Sequence, residues 1–134
     1  MQTAAVLSGR ILQLRRIDRG ESVGYGATFR AKRPTVIATV ALGYADGLMR
    51  AIGNRGTAAI AGVRAPVAGR VSMDLVTLDV TDVPPAALST DAHAEFFGDT
   101  ISLEEVAEAA GTAAYEILTS LTPRVPRHYE GAAA

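Results

Sequence analysis

A chain of 134 residues fits one domain with room for a hydrophobic core. Apolar residues make up 49% and charged residues 20%, the balance of a soluble globular protein, which excludes intrinsic disorder. A net charge of −1 excludes a global positive field for nucleic acid, and the lack of cysteine excludes disulfides and thiolate chemistry. No apolar run approaches a membrane span and no signal-peptide pattern opens the chain, so a cytoplasmic protein without a membrane partner is expected. Lys32 is the only lysine, against twelve arginines, so any chemistry needing a lysine amine has one candidate.

Residues 4–18 alternate apolar and polar from Ile11 onward, the period of a half-buried strand, with Gly9 as the expected bulge. Asp18-Arg-Gly-Glu21 reads as a turn. In the next run, Ser22-Val-Gly-Tyr-Gly-Ala-Thr-Phe29, Tyr25 stands between two glycines at the hinge between that turn and a strand. Glycine flanks let the backbone bend and push a tyrosine out of a sheet edge. A phenol so placed is a proton-transfer candidate, because neighbouring positive charge lowers its pKa from about 10. Taken alone, a Gly-Tyr-Gly run more often marks a half-buried aromatic closing a barrel end. Thr28 to Ala31 is predicted as a short strand and Lys32-Arg-Pro34 as a solvated turn. There Arg30, Lys32 and Arg33 form a cationic cluster that suits an exposed turn or an anion grip.

Thr35 to Gly43 is the most apolar and β-branched stretch and is predicted as a central strand. It runs into Tyr44-Ala-Asp-Gly47, where Asp-Gly signals a turn. Thr57 to Ala61 and Val63 to Ala68 are predicted to pair as a hairpin around Ala61-Gly62. Gly69-Arg-Val-Ser-Met-Asp74 leads into an alternating strand from Leu75 to Val80. Pro84-Pro85 and the polar run to Asp91 form a loop, and Ala92 to Phe97 a strand ended by Gly98-Asp99.

The period then changes. Ser102 with Glu105 three residues on makes a capping box, Leu103, Val106 and Ala110 fall at helical spacing, and Gly111 stops the helix. Thr112 caps a second short helix through Leu121, Arg124 to Tyr129 forms a final strand, and Gly131 with three alanines is expected to fray. This order predicts a single domain over residues 1–134, mainly β and barrel-like, built of short strands with a small two-helix insertion near the C-terminus.

No metal site is expected, since His93 and His128 are far apart and neither sits in a ligand-spaced cluster. Hydrolase, phosphate-loop and dinucleotide patterns are absent from the sequence, and Asp74 and Asp79 lack a second carboxylate for paired acid–base work. Three segments remain, each at a glycine- or turn-bearing strand end: Tyr25, the Gly43–Gly47 run and the Gly69–Asp74 run. Strand ends on one rim of a barrel gather polar groups around a ligand.

In order, the runs Ser-Val-Gly-Tyr-Gly-Ala-Thr-Phe-Arg-Ala, Leu-Gly-Tyr-Ala-Asp-Gly and Arg-Ala-Pro-Val-Ala-Gly-Arg-Val-Ser-Met-Asp, then Ala-Gly-Thr-Ala-Ala-Tyr-Glu-Ile-Leu and Pro-Arg-Val-Pro-Arg, resemble the C-terminal domain of alanine racemase. The resemblance runs from about Ser8 to about Tyr129 at compatible spacing. It implies a pyridoxal-phosphate barrel domain preceding this one, and a head-to-tail dimer in which each β domain completes the other subunit's active site. Tyr25 then matches the catalytic tyrosine that takes the α-proton of L-alanine, on the face opposite the cofactor lysine. Met73 matches the residue whose backbone N–H contacts the substrate carboxylate. Tyr44, Arg50, Arg70 and Asp74 match positions along the substrate's access corridor. The implied function is interconversion of L- and D-alanine, supplying D-alanine for peptidoglycan. Pyridoxal phosphate would be held mainly by the barrel and is not expected on this chain alone.

Two departures stand out. Pro123 occupies the place of a second corridor tyrosine, which implies a wider or differently closed gate. The segment before Phe97 is more polar than the uniformly apolar strand of the family. The barrel with its lysine, phosphate loop and carboxylate-binding arginine is not in this sequence, and Lys32 lies outside the family's lysine motif. The chain therefore reads as half an active site, needing a partner barrel domain or a homo-oligomer. A non-catalytic β module for dimerisation or ligand binding is the alternative. A nucleic-acid-binding barrel using Arg10, Arg15, Arg16 and Arg19 conflicts with the near-neutral charge and the missing aromatic platform. Serine and lysine racemases share related domains, so the resemblance leaves the choice among amino acids open.

Overall fold

Eleven residues, Leu7–Ile17, form the longest strand, β1. The structure, a computed structural model, describes residues 6–23, 28–46, 48, 50–89, 92–98 and 100–111. Among these, β1 is followed by β2 (Ser22–Val23), β3 (Phe29–Arg30), β4 (Thr35–Val40), β5 (Thr57–Ile60), β6 (Val63–Pro66), β7 (Val76–Asp79), β8 (His93–Phe97) and one helix, α1 (Leu103–Ala110). Six strands pair antiparallel in the order β6-β5-β8-β1-β4-β7. Val67, the residue after β6, bridges to Leu78 in β7, so the two ends of the sheet meet and the barrel nearly closes. Closure leaves few unpaired edge groups to attract other strands. β2 and β3 pair apart from it, Ser22 opposite Arg30 and Val23 opposite Phe29.

The mainly β, barrel-like expectation holds, with a helix near the C-terminus. The Tyr25 run (24–27), Gly47, the second helix expected over 112–121, the final strand over 124–129 and the tail lie outside the described residues. No helix among the described residues is long and apolar enough to cross a membrane.

In β1 the sequence predicts alternation from Ile11 onward, and the structure places it earlier. Leu7, Gly9 and Ile11 are buried between exposed neighbours, whereas Leu12 to Arg16 are all exposed. The reason is that β1 joins two hydrophobic clusters. Leu7 and Ile11 belong to the main core with Val40, Leu78, Phe96 and Phe97. Ile17 belongs to a smaller cluster with Val23, Ala31, Ile37 and Ala68, against which Phe29 packs. The β8 ladder accompanies β1 only from Leu7 to Arg10, so the span between the clusters has one covering neighbour fewer. Gly9 is not itself the bulge. The register shifts fall on either side of it, between Leu7 and Ser8 and between Ile11 and Gln13. Gly9 instead permits close approach of β4, for a Cβ there would lie 2.7 Å from Val40 Cγ1.

Other elements follow their local chemistry. The β5–β6 hairpin turns on Ala61 and Gly62, both at positive φ (52° and 80°), the mirror-image turn whose twist suits a two-residue hairpin. The polar Glu95 fits β8 because its Oε2 accepts from Thr100 N (2.8 Å) and Ile101 N (2.7 Å), tying down the turn beyond the strand. Ser102 caps α1 by accepting from Glu105 N at 3.1 Å, and Gly111 ends the helix at φ 72°. Only this half of the expected capping box forms, since the Glu105 carboxylate pairs with Arg64 of β6 instead.

Candidate active-site rim

Beyond β4 the chain turns sharply at Gly43 into the 3-10 turn Tyr44–Asp46. Asp46, only 8% exposed, holds the turn shut: its Oδ2 accepts from Gly43 N at 3.0 Å, and its own N–H donates to Gly43 O at 3.0 Å. The next two amides reach a second segment, Tyr44 N donating to Ser72 O (3.0 Å) and Ala45 N to Met73 O (2.9 Å). Glycine is required at 43 because a Cβ would fall on the carbonyl oxygens of Ser72 and Met73.

The second segment is equally constrained. Val71 is buried and anchors it. Ser72 closes a small loop by donating its N–H (3.0 Å) and its hydroxyl (2.8 Å) to Leu75 O, while Ser72 Oγ accepts from Leu75 N at 3.3 Å. Met73 and Asp74 stand at the tip of that loop. Met73 is 53% exposed, and among the described residues its N–H donates to no protein acceptor. Tyr44 and Leu75, each 39% exposed, extend the surface around it. An exposed apolar rim with a free backbone donor can receive a small acid, the donor meeting the carboxylate and the side chains excluding water.

The sequence-derived candidates separate clearly. Tyr44 and Met73, twenty-nine positions apart in the sequence, are brought together by the two backbone bonds between their turns. Arg70 and Asp74 lie exposed on the Met73 segment. Arg50 opens the 3-10 turn Arg50–Ile52, whose Ile52 is buried in the main core. Tyr25 lies outside the described residues, though β2 and β3, which flank it in sequence, rest on the smaller core through Val23 and Phe29. Reasoning from sequence missed Asp46 as the group that shapes the turn. Its one signal in the sequence was the Asp46-Gly47 turn pair. It also missed Asn54, which bonds both Thr28 and Gly69.

Elsewhere, Lys32 sits in an exposed bend, in a groove of about 420 Å³ lined by Phe29, Arg30, Lys32, Arg33, Thr35 and Asp79. Arg30 there donates to Gly20 O at 2.8 Å, and Arg33 pairs with Asp82 at 3.1 Å. The hydrogen bond to Asp82 raises the Arg33 pKa, as the bond to Glu105 raises that of Arg64. Neither pair belongs to the rim. Among the described residues no three His, Asp or Glu converge to hold a metal ion.

Comparison with known proteins gives the chain's family. Residues 4–129 match the family model described as alanine racemase, C-terminal domain. An alanine racemase of Rhodospirillum rubrum is 50% identical over 131 residues, covering 98% of this chain and 35% of that protein. The biosynthetic alanine racemase of Pseudomonas aeruginosa superposes with a TM-score of 0.84 at 44% identity, over 90% of this chain and 33% of that one. The alanine racemase of Bartonella henselae, solved with covalently bound pyridoxal phosphate, gives a TM-score of 0.82 at 38% identity, over 89% and 33%. The chain thus spans about a third of the length of the relatives it matches.

Proposed function

We propose that this chain, which belongs to the family of alanine racemase C-terminal domains, supplies the second base and part of the substrate gate to a racemase whose remaining groups lie on a barrel domain. The observation that carries this reading is the locked pair of turns with an exposed Met73 whose N–H meets no acceptor among the described residues. Residues 1–134 act as one domain in it.

The chain does not itself fit pyridoxal phosphate. Its one lysine, Lys32, lies in a water-exposed bend, and the neighbouring arginines are engaged with Gly20 and Asp82 rather than arranged as a phosphate cradle. Pyridoxal phosphate would be held by residues of the barrel domain, where it would supply an electron sink for chemistry at the α-carbon. What this chain contributes is placement. Racemisation removes a proton from one face of the α-carbon and returns one to the other, so it needs two bases on opposite sides. Tyr25 serves the face from which L-alanine loses its proton, and a barrel lysine of the partner subunit serves the other. Met73 N–H holds the substrate carboxylate, a bond to a charged acceptor that contributes about 1.5–3 kcal/mol. Tyr44, Arg50, Arg70 and Asp74 line the approach. The product D-alanine feeds peptidoglycan synthesis in the cytoplasm.

The test is Tyr25→Phe in a racemase in which this domain follows a barrel domain, because phenylalanine keeps the ring and removes the ionisable oxygen. Loss of a general base lowers rates by about 10²–10⁴-fold. Exchange of the α-hydrogen, followed by NMR in heavy water, is expected to slow far more for L-alanine than for D-alanine. Equal slowing of the two, or none, would remove Tyr25 from the mechanism.

A further inference from the structure

We propose that Asn54 is a positioning residue that fixes the Tyr25-bearing hairpin against the segment carrying Arg70 and Met73. The inference rests on the reading of Tyr25 as the second base.

Asn54 bridges two segments far apart in sequence. Its N–H donates to Gly69 O at 3.1 Å, and its Oδ1 accepts from Gly69 N at 2.6 Å, a two-pronged clasp on one glycine. Because Gly69 N–H can only donate, the amide oxygen must face it, and chemistry alone then directs Nδ2 the other way. There Nδ2 donates to Thr28 Oγ1 at 3.0 Å. Asn54 has φ 57°, a left-handed conformation that asparagine tolerates better than most residues with a side chain.

The two ends of this bridge differ in rigidity. Gly69 follows Ala68, which is fully buried in the smaller core and bonded twice to Thr77 of β7, donating to Thr77 O at 2.9 Å and accepting from Thr77 Oγ1 at 2.5 Å. That end belongs to the barrel. Thr28 lies three residues after Tyr25 and directly before β3. β2 and β3 are two residues each, too short to hold a hairpin in place by their own pairing. Val23 anchors one stem of the hairpin in the core, and Gly20 and Glu21 hold Ala31 at its base. On the Thr28 side, Phe29 packs against the smaller core, and the side-chain bond from Asn54 is the polar tie that reaches Thr28 itself among the described residues. An ordinary hydrogen bond biases a two-state equilibrium about 2- to 10-fold. That is too little to decide folding and enough to decide how often a base on the hairpin meets its substrate.

The experiment compares Asn54→Gly, Thr28→Val and Tyr25→Phe in a racemase in which this domain follows a barrel domain. Glycine keeps the left-handed backbone and the backbone N–H bond to Gly69 O but removes both side-chain bonds, those to Gly69 N and Thr28 Oγ1, whereas Thr28→Val removes only the hydroxyl at an exposed position and so tests the tie even if Asn54→Gly folds poorly. The readout is α-hydrogen exchange of each alanine enantiomer, because a general loss of folded enzyme lowers both alike. Asn54→Gly and Thr28→Val are each expected to slow exchange of L-alanine about 2- to 10-fold and that of D-alanine by less. The double variant should be no worse than the poorer single one, since both break the same Asn54–Thr28 bond. Equal slowing of the enantiomers, or none, in both single variants while Tyr25→Phe discriminates between them would overturn the positioning role and leave the base reading intact. If Tyr25→Phe fails to discriminate, the base reading falls and this inference falls with it.

Discussion

Gly43 has no side chain, and the rim depends on that. The Gly43–Asp46 turn lies so close to Ser72 and Met73 that a single methyl group at 43 would occupy the space of two carbonyl oxygens. Gly43→Ala must therefore push the two turns apart, at about 1–3 kcal/mol by the usual cost of overpacking. A lower urea midpoint and a shifted Met73 methyl resonance are expected together, and an unchanged midpoint would show that the turns are looser than described. Asp46 works beside it. Asp46→Ala leaves the Gly43 N–H without its acceptor in a buried position, which costs about 1–3 kcal/mol. Asp46→Asn keeps an oxygen at the same place and is expected to recover most of that loss. Should the two variants melt alike, the carbonyl-type acceptor is not what holds the turn. Asp46 was legible in the sequence only as part of an Asp-Gly turn. Which amide its carboxylate would bind depends on how β4 ends, and that is fixed by packing across the barrel rather than by local sequence.

At the scale of elements, what could be read from sequence tracks how local the determining physics is. The cap at Ser102 and the stop at Gly111 each involve groups within four residues; the stop forms as read and the capping box forms in its Ser102 half. The hairpin around Ala61-Gly62 is local in the same sense, and its imperfection is also visible. Ala61 holds φ 52°, a conformation that disfavours a Cβ and for which asparagine is the preferred residue before glycine in this turn. Ala61→Asn is therefore expected to stabilise the domain by about 0.5–1 kcal/mol, raising the melting temperature by roughly 2–5 °C for a chain of this size. A fall in melting temperature would mean that the turn is not strained by alanine. β1 shows the opposite case. Its alternation was misplaced by several residues because burial along it is set by two separate clusters and by the point where β8 leaves it, none of which the strand's own sequence encodes.

For the whole molecule, the barrel class was legible from short strands and turns, but the order β6-β5-β8-β1-β4-β7 was not. Strands of four to six residues carry too little pattern to choose partners across the chain, and pairing β8 between β1 and β5 is decided by the fit of the complete core. The candidate rim rests on a different ground: the motifs around Tyr44 and Met73 resemble a family, and the fold brings those two turns into contact. Arg50 and Tyr25 gained no comparable geometric support, one because only its place at the head of a turn is described, the other because it lies outside the described residues. The proposed division of labour between domains yields a last expectation, on the chain by itself. Lys32 is its one lysine, exposed and flanked by Arg30 and Arg33 in an open groove that Asp79 also lines. Such a lysine condenses with an aldehyde only weakly, because nothing nearby desolvates the amine or fixes a phosphate. Incubation with pyridoxal phosphate, borohydride reduction and mass spectrometry should then find no stoichiometric adduct at Lys32, and alanine should keep its configuration. Mixing in a family barrel domain should restore turnover and bury the exposed Met73 and Leu75, which their methyl resonances would report. A stoichiometric Lys32 adduct accompanied by racemisation in the isolated chain would mean that the 134 residues hold a whole active site, and the half-site reading would have to be abandoned.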